Sequence, residues 1–171
     1  MNSAVQQSLV GPEALAAVGT EIARTQGTVV KKEFQRWAAA VGDRNPLYFD
    51  DEYARSHGYR EAVMPPLYLP QVTLGVVDLD KLRPDGIPGG DGTSARIPLP
   101  KTPRWMAGGE DTRFFEPVYH ADVITSVRTV IGVEQKQGRS GAFVLITSRV
   151  TYTRGDGTVV AEATMTTIAR P

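Results

Sequence analysis

From Trp105 onward, apolar and β-branched residues alternate with polar ones, and tight-turn residues interrupt them. Val123, Ile124, Val127, Val130, Ile131 and Val133 outline one strand, "AFVLITSRVTYT" (142–153) a second and "TVVAEATMTTIA" (158–169) a third. The stretch "QGRSG" reads as the first turn, and Asp156-Gly157 within "RGDG" is a hairpin signal for the second. The first half has a different period. "GPEALAAVGTEIA" (11–23), with Pro12 where a first helical residue is tolerated, predicts a short helix, and Thr28, Val29 and Val30 a brief strand. Phe34, Trp37, Ala38 and Val41 recur at helical spacing and form one apolar stripe, ended by Gly42. "DDEYARSHG" (50–58) opens on acids and closes on glycine, as a short helix does.

Residues 62–80, "AVMPPLYLPQVTLGVVDLD", differ again. Pro65 and Pro66 fit only before or within a first helical turn, and Pro70 fits if it still lies in that turn. Beyond them Leu67, Leu69, Val72, Leu74, Val76 and Val77 are apolar on nearly every side, the pattern of a helix buried all round. The order is a helical first half, one all-round apolar helix, then a meander. A curled antiparallel sheet wrapped around that helix, an α+β arrangement, satisfies both patterns. Residues 81–104 are rich in Pro and Gly without periodicity and read as an insertion within one domain spanning 1–171, serving as a lid, a partner contact or a flexible connection.

Composition narrows the function classes. The 171 residues suit one core, and 19 basic against 19 acidic side chains give no net charge, which argues against a nucleic-acid partner. No cysteine is present, so disulfides, thiolate metal sites and a Cys nucleophile are excluded. With two histidines, His57 and His120, far apart in sequence, a His-rich metal site is not expected. The N-terminal stretch has no basic and apolar signal regions, and no run approaches the roughly 20 apolar residues of a membrane span, so a cytoplasmic location is expected.

Chemistry-bearing residues concentrate in "VGDRNPLYFDDEYA" (41–54), where Asp, Asn and Pro after a helix are also ordinary turn formers. This stretch within "FQRWAAAVGDRNPLYFDDEYA", followed by "GYREAVMPPLYL" and "RFFEPVYHADVI", closely resembles the MaoC-like hydratase/dehydratase family, in its FAS1-like dehydratase N-terminal branch. The resemblance runs from about Gly11 to Ile168; the G-D-x-N-P segment is its specific part. It implies the hotdog fold and hydration of a trans-2-enoyl thioester of coenzyme A or acyl carrier protein, or the reverse, with the thioester as substrate and no cofactor or metal.

That chemistry needs a water activated toward the β-carbon and a proton delivered to the α-carbon, work suited to a carboxylate and an imidazole. By the resemblance, Asp43 is the acid, Asn45 orients the loop or the water, and the histidine of the family motif falls on Tyr48. A phenol titrates near 10 and is a poor base. The start of the central helix, Pro66, Leu67 and Tyr68, would border the acyl group. Pro65 and Pro66 have no N–H, so an oxyanion donor there would be Leu67 or a neighbour.

The resemblance therefore implies a helper subunit that shapes an acyl tunnel beside a second hotdog chain carrying the Asp/His dyad, with Asp43 and Asn45 as remains of a site. The alternatives are a self-sufficient (R)-specific hydratase, acting alone or as a pair with itself, that uses Asp43 and a substitute acid, a hotdog thioesterase, or an acyl-binding module. The thioesterase reading lacks a carboxylate before Asp78 on the central helix, where only Gln71 is polar enough to matter. His57 reads as a helix C-terminal partner. His120 stands at a strand entrance, facing solvent or a partner or replacing the missing imidazole. Lys101, Arg104 and Arg113 are candidate phosphate contacts, with simple solvation the plainer reading.

Overall fold

The computed structural model describes residues 8–75, 79–82, 84, 86, 97–99 and 104–171. Five antiparallel strands form one sheet: β1 (Glu21–Thr28), β2 (Arg104–Phe114), β3 (Val123–Gly138), β4 (Gly141–Arg154) and β5 (Val159–Arg170), in the order β1-β3-β4-β5-β2. The alternation read from the sequence is the inward face of this sheet. Along β4, Val144, Ile146, Ser148, Val150 and Tyr152 are buried, and the residues between them point outward. Gly138 pairs with Gly141, so a two-residue loop joins β3 to β4. At the β4–β5 turn Gly157 takes φ +89°, and Asp156 accepts from the Thr158 N–H at 2.9 Å.

Helices α1 (Pro12–Ala16), α2 (Lys31–Ala40), α3 (Asp51–Ser56) and α4 (Leu69–Thr73) complete the described elements, with short 3-10 turns at Pro46–Tyr48, Pro66–Tyr68 and Leu79–Lys81. Two expectations change here. The helix expected over 11–23 ends at Ala16, and residues 21–28 are strand β1 rather than helix followed by a strand at 28–30. Gly19, at φ +88°, turns the chain, and the free ladder of β3 then captures a segment whose own alternation is weak. The helix buried all round is the second. It is a 3-10 turn and five helical residues, with Leu69 and Thr73 buried but Leu67 69% and Leu74 64% exposed. Pro70 does lie in the first turn, and the chain turns extended at Leu74 (ψ 121°). Residues 76–78 and most of 81–104 lie outside the described residues, and with them the expected lid and Lys101; Arg104 opens β2.

The core has two apolar clusters. One gathers Val29, Phe34, Met64, Leu69, Ile124 and Val150 under α2 and α4. The other gathers Ala14, Ile22, Ile97, Val130, Ile146 and Ala169 beside α1. The α4 backbone reaches the sheet at Gly27 of β1, where a β-carbon would lie 1.7 Å from the Val72 carbonyl oxygen. Only glycine permits that approach.

Asp51 fixes the segment between α2 and α4. It pairs with the Lys31 ammonium at the start of α2 and, through the same oxygen, accepts the Ala62 N–H at 2.9 Å. Glu61 adds a second carboxylate 3.9 Å from Lys31. Hydrogen bonding from Lys31, then from Ala62, lowers the Asp51 pKa below the ordinary carboxylate value.

Gly27→Ala forces backbone to move and is expected to cost about 1–3 kcal/mol in urea denaturation. Gly132→Ala, whose β-carbon would meet Thr147 at an ordinary 3.7 Å, should stay within about 0.5 kcal/mol. Equal losses would show that the Gly27 approach is not a constraint. Because the folded pKa of Asp51 is depressed, its contribution is present above the unfolded value of about 3.9 and disappears as pH falls through the folded one. The gap in Tm between wild type and Asp51→Asn should therefore be open near neutral pH and close under acid; a gap that does not change with pH would contradict this.

Candidate functional site

The stretch 41–54 is built as a chain of caps. Helix α2 buries Phe34 and Ala38 and ends in a left-handed Gly42 at φ +77°. The Asp43 N–H bonds the Ala38 carbonyl at 2.9 Å and the Gly42 N–H that of Ala39 at 3.2 Å, the paired bonds of a Schellman end. Asp43, Asn45 and Asp50 then hand the backbone on. An Asp43 carboxylate oxygen accepts the Asn45 N–H at 3.1 Å, and the Asn45 side chain accepts the Leu47 N–H at 3.1 Å, capping the Pro46–Tyr48 turn. Asp50 then accepts from Glu52 at 2.8 Å and Tyr53 at 3.0 Å, capping α3. Gln35 of α2 holds the Tyr48 carbonyl at 3.0 Å, and the Val63 N–H holds that of Leu47 at 2.8 Å.

This loop brings Asp43, Asn45 and Tyr48 together. Asp43 is exposed, and Tyr48 is half-buried. Burial, and then the Asp43 charge, push the Tyr48 phenol above its ordinary pKa, while a hydrogen bond with the Asn45 side chain works the other way. The phenol is a neutral donor at physiological pH. Tyr59, which follows α3, lies close enough to this group to be the last of the influences that raise the Tyr48 pKa. Its proximity arises only when α3 turns back at Gly58 (φ +87°).

The residues expected at the start of the central helix separate. Pro66 lines a small apolar pocket, open to solvent, with Met64, Leu69, Phe114, Val118 and Val160; Glu116 is its one charged wall. Leu67 projects into solvent, and Tyr68 packs its ring 5.6 Å from Trp37 of α2. The Tyr68 N–H closes its own turn on the Pro65 carbonyl at 2.9 Å. The Asp43–Tyr48 cluster does not line the pocket, but Val63, between Met64 and the loop, does.

Neither histidine joins this cluster. His57 follows α3, stacks on Tyr53 at 4.1 Å and places Nδ1 2.8 Å from the Tyr53 carbonyl, as the helix-end reading expects. His120 places Nδ1 3.3 Å from the Lys31 N–H and 3.1 Å from the Val29 carbonyl, at the start of α2. Asp43 follows the end of α2, and ten helical residues span about 15 Å. Within one chain, His120 therefore does not replace an imidazole beside Asp43. Arg104 and Arg113 are exposed on β2, and Gln71 is exposed on α4. Among the described residues no three His, Asp or Glu side chains converge on a metal position, and no helix is long and apolar enough to cross a membrane.

Comparisons with known proteins give the family and the fold. Residues 16–163 match the family model for the FAS1-like, dehydratase domain region. The chain is 31% identical over 144 residues to the UPF0336 protein Franean1_6066 of Parafrankia sp. (strain EAN1pec), covering 83% of each. Among solved structures, the ChsH1-ChsH2 complex from Mycobacterium tuberculosis superposes with a TM-score of 0.71 at 22% identity, over 92% of this chain and 86% of that one. The C-terminally truncated HadBC (3R-hydroxyacyl-ACP dehydratase) complex, also from Mycobacterium tuberculosis, gives 0.57 at 19% identity, over 88% and 99%. The chain belongs to the FAS1-like dehydratase family and carries the hotdog fold of the MaoC-like dehydratases.

Proposed function

We propose that the chain is the acyl-binding, non-catalytic partner in a heteromeric hydratase/dehydratase of enoyl thioesters on coenzyme A or acyl carrier protein. The observation that carries this reading is the Asp43–Asn45–Tyr48 cluster, in which a protonated phenol stands beside the carboxylate where, by the resemblance, the family motif has its histidine. Hydration requires one group to take a proton from water as it attacks the β-carbon and return a proton to the α-carbon. Asp43 is exposed and offers the carboxylate, but the phenol beside it does not accept a proton at neutral pH. A dyad lacking one member loses most of its effect, because the two groups act as a unit. The similarity to the ChsH1-ChsH2 and HadBC complexes supports a second hotdog chain as the supplier of the complete dyad.

The apolar pocket at Met64, Pro66 and Leu69 is the place on this chain for an acyl group, next to the loop that Val63 ties down. In this role Asp43 and Asn45 keep the loop in shape rather than move protons. A self-sufficient hydratase would instead use Tyr48 as the acid and Asp43 as the base, and the same assay separates the two.

The purified chain is expected to hydrate crotonyl-CoA near the background rate, with turnover appearing when it is mixed with a hotdog chain carrying G-D-x-N-P-x-H. Tyr48→His should raise kcat/KM of the isolated chain by about 10²-fold or more, and Asp43→Asn in that background should remove the gain. Hydration by the wild-type chain at ordinary enzyme rates, abolished by Tyr48→Phe or Asp43→Ala, would establish the self-sufficient enzyme instead. Release of free thiol from acyl-CoA would mark a thioesterase.

A further inference from the structure

On the inward face of the sheet, between the two apolar clusters, lies a set of polar side chains that the loop chemistry does not use. Ser126 and Arg128 of β3 and Ser148 and Tyr152 of β4 share this face, and Glu110 of β2 stands at its open margin. Ser148 is fully buried, Tyr152 is 6% and Ser126 9% exposed, and Arg128 is half-buried. Two of these groups have buried polar atoms with no partner: Nε of Arg128 and the hydroxyl of Ser148. Arg128 pairs across the ladder with Val150, and Ser148 with Val130, so the two are diagonal neighbours on one face, within reach of a long side chain.

An Nε–H shut off from water without an acceptor is unfavourable. No carboxylate among the described residues forms an ion pair with Arg128. Glu110 is the acid whose charge reaches it, but one Glu110 oxygen is occupied by the Thr112 hydroxyl at 2.7 Å. Burial lowers the Arg128 pKa and raises that of Tyr152, as expected for a charged group kept from water beside a neutral phenol. Arg170, the other arginine with a buried unpaired Nε, differs: its terminal nitrogen donates to Ser140 at 2.8 Å.

We propose that Arg128 and Ser148 form a carboxylate-binding site on the inward face of the sheet. One planar anion with two oxygens answers both orphaned donors, an N–H and an O–H, and balances the guanidinium charge. Phosphate is the poorer match, because its bulk and second charge would meet an enclosed Ser148 and the nearby Glu110. The carboxylate comes either from the far end of an acyl chain or from a free small acid.

Calorimetric titration of the full chain with adipoyl-CoA and hexanoyl-CoA, and thermal shifts with glutarate, test the site and its source. Binding of adipoyl-CoA about tenfold or more tighter than hexanoyl-CoA is expected for a chain-borne carboxylate, and a glutarate-dependent rise in Tm for a free one. Arg128→Gln should erase either effect and Arg128→Lys retain part of it. If Arg128→Gln does not fold, Ser148→Ala should weaken the effect severalfold. Equal affinities for the two thioesters with no glutarate shift would overturn the site while leaving the thioester reading intact. A glutarate shift lost in Arg128→Gln, with neither thioester bound, would keep the site and remove that reading. No binding in any arm overturns the proposal. So does a Glu110→Gln variant that loses as much Tm as Arg128→Gln with no further loss in the double variant, since the arginine would then serve an internal pair.

Discussion

One carboxylate oxygen organises the segment on which the candidate chemistry stands. Asp51 receives both the Lys31 ammonium and the Ala62 N–H, and so joins the start of α2, the start of α3 and the strand-like run into α4. Between these fixed points the chain has to pass from Gly42 to Asp50, and it does so through caps that leave few backbone groups unsatisfied. The positions of Asp43, Asn45 and Tyr48 follow from that route. The pocket follows too, because the run continuing from Ala62 carries Val63 and Met64 into its wall.

Asp43 and Asn45 therefore have structural duties that exist whether or not a proton is ever moved. Each accepts a backbone N–H that would otherwise point into the turn. A loop held by such caps keeps its shape whichever side chain stands at position 48. The outline of the loop by itself therefore does not decide an activity. Tyr48 is the position where the two roles separate, because its carbonyl is held by Gln35 and its phenol faces Asp43.

The meander was legible because β3, β4 and β5 repeat one inward period between strong turn signals, and the α2 stripe was legible for the same reason in helical form. Strand β1 was hidden. "EIARTQGT" has little periodicity of its own and is strand because β3 offers it a ladder. The apolar run after Pro65 misled in the other direction: continuous hydrophobicity does not say how many residues are helical, and Leu67 and Leu74 face solvent. For the candidate site, the resemblance carried by G-D-x-N-P gave Asp43, Asn45 and Tyr48 as a group. It did not give Tyr59, nor the placement of His120 at the opposite end of α2, since both depend on turns whose direction is set by tertiary contacts such as the Ala121 N–H on the Val29 carbonyl.

Strand β2 is one of the two edges of the sheet, eleven residues long and exposed along most of its length, with Met106 and Phe114 among the uncovered apolar side chains. Its register against β5 shifts between Ala107 and Gly109, at a pair of glycines. Such a shift changes the phase of the outward-facing N–H and C=O groups. A straight visiting strand can match the backbone on one side of the kink but falls out of step on the other, so indiscriminate stacking of chains along this border is cut short, and only a strand bent to the same profile can follow it from end to end.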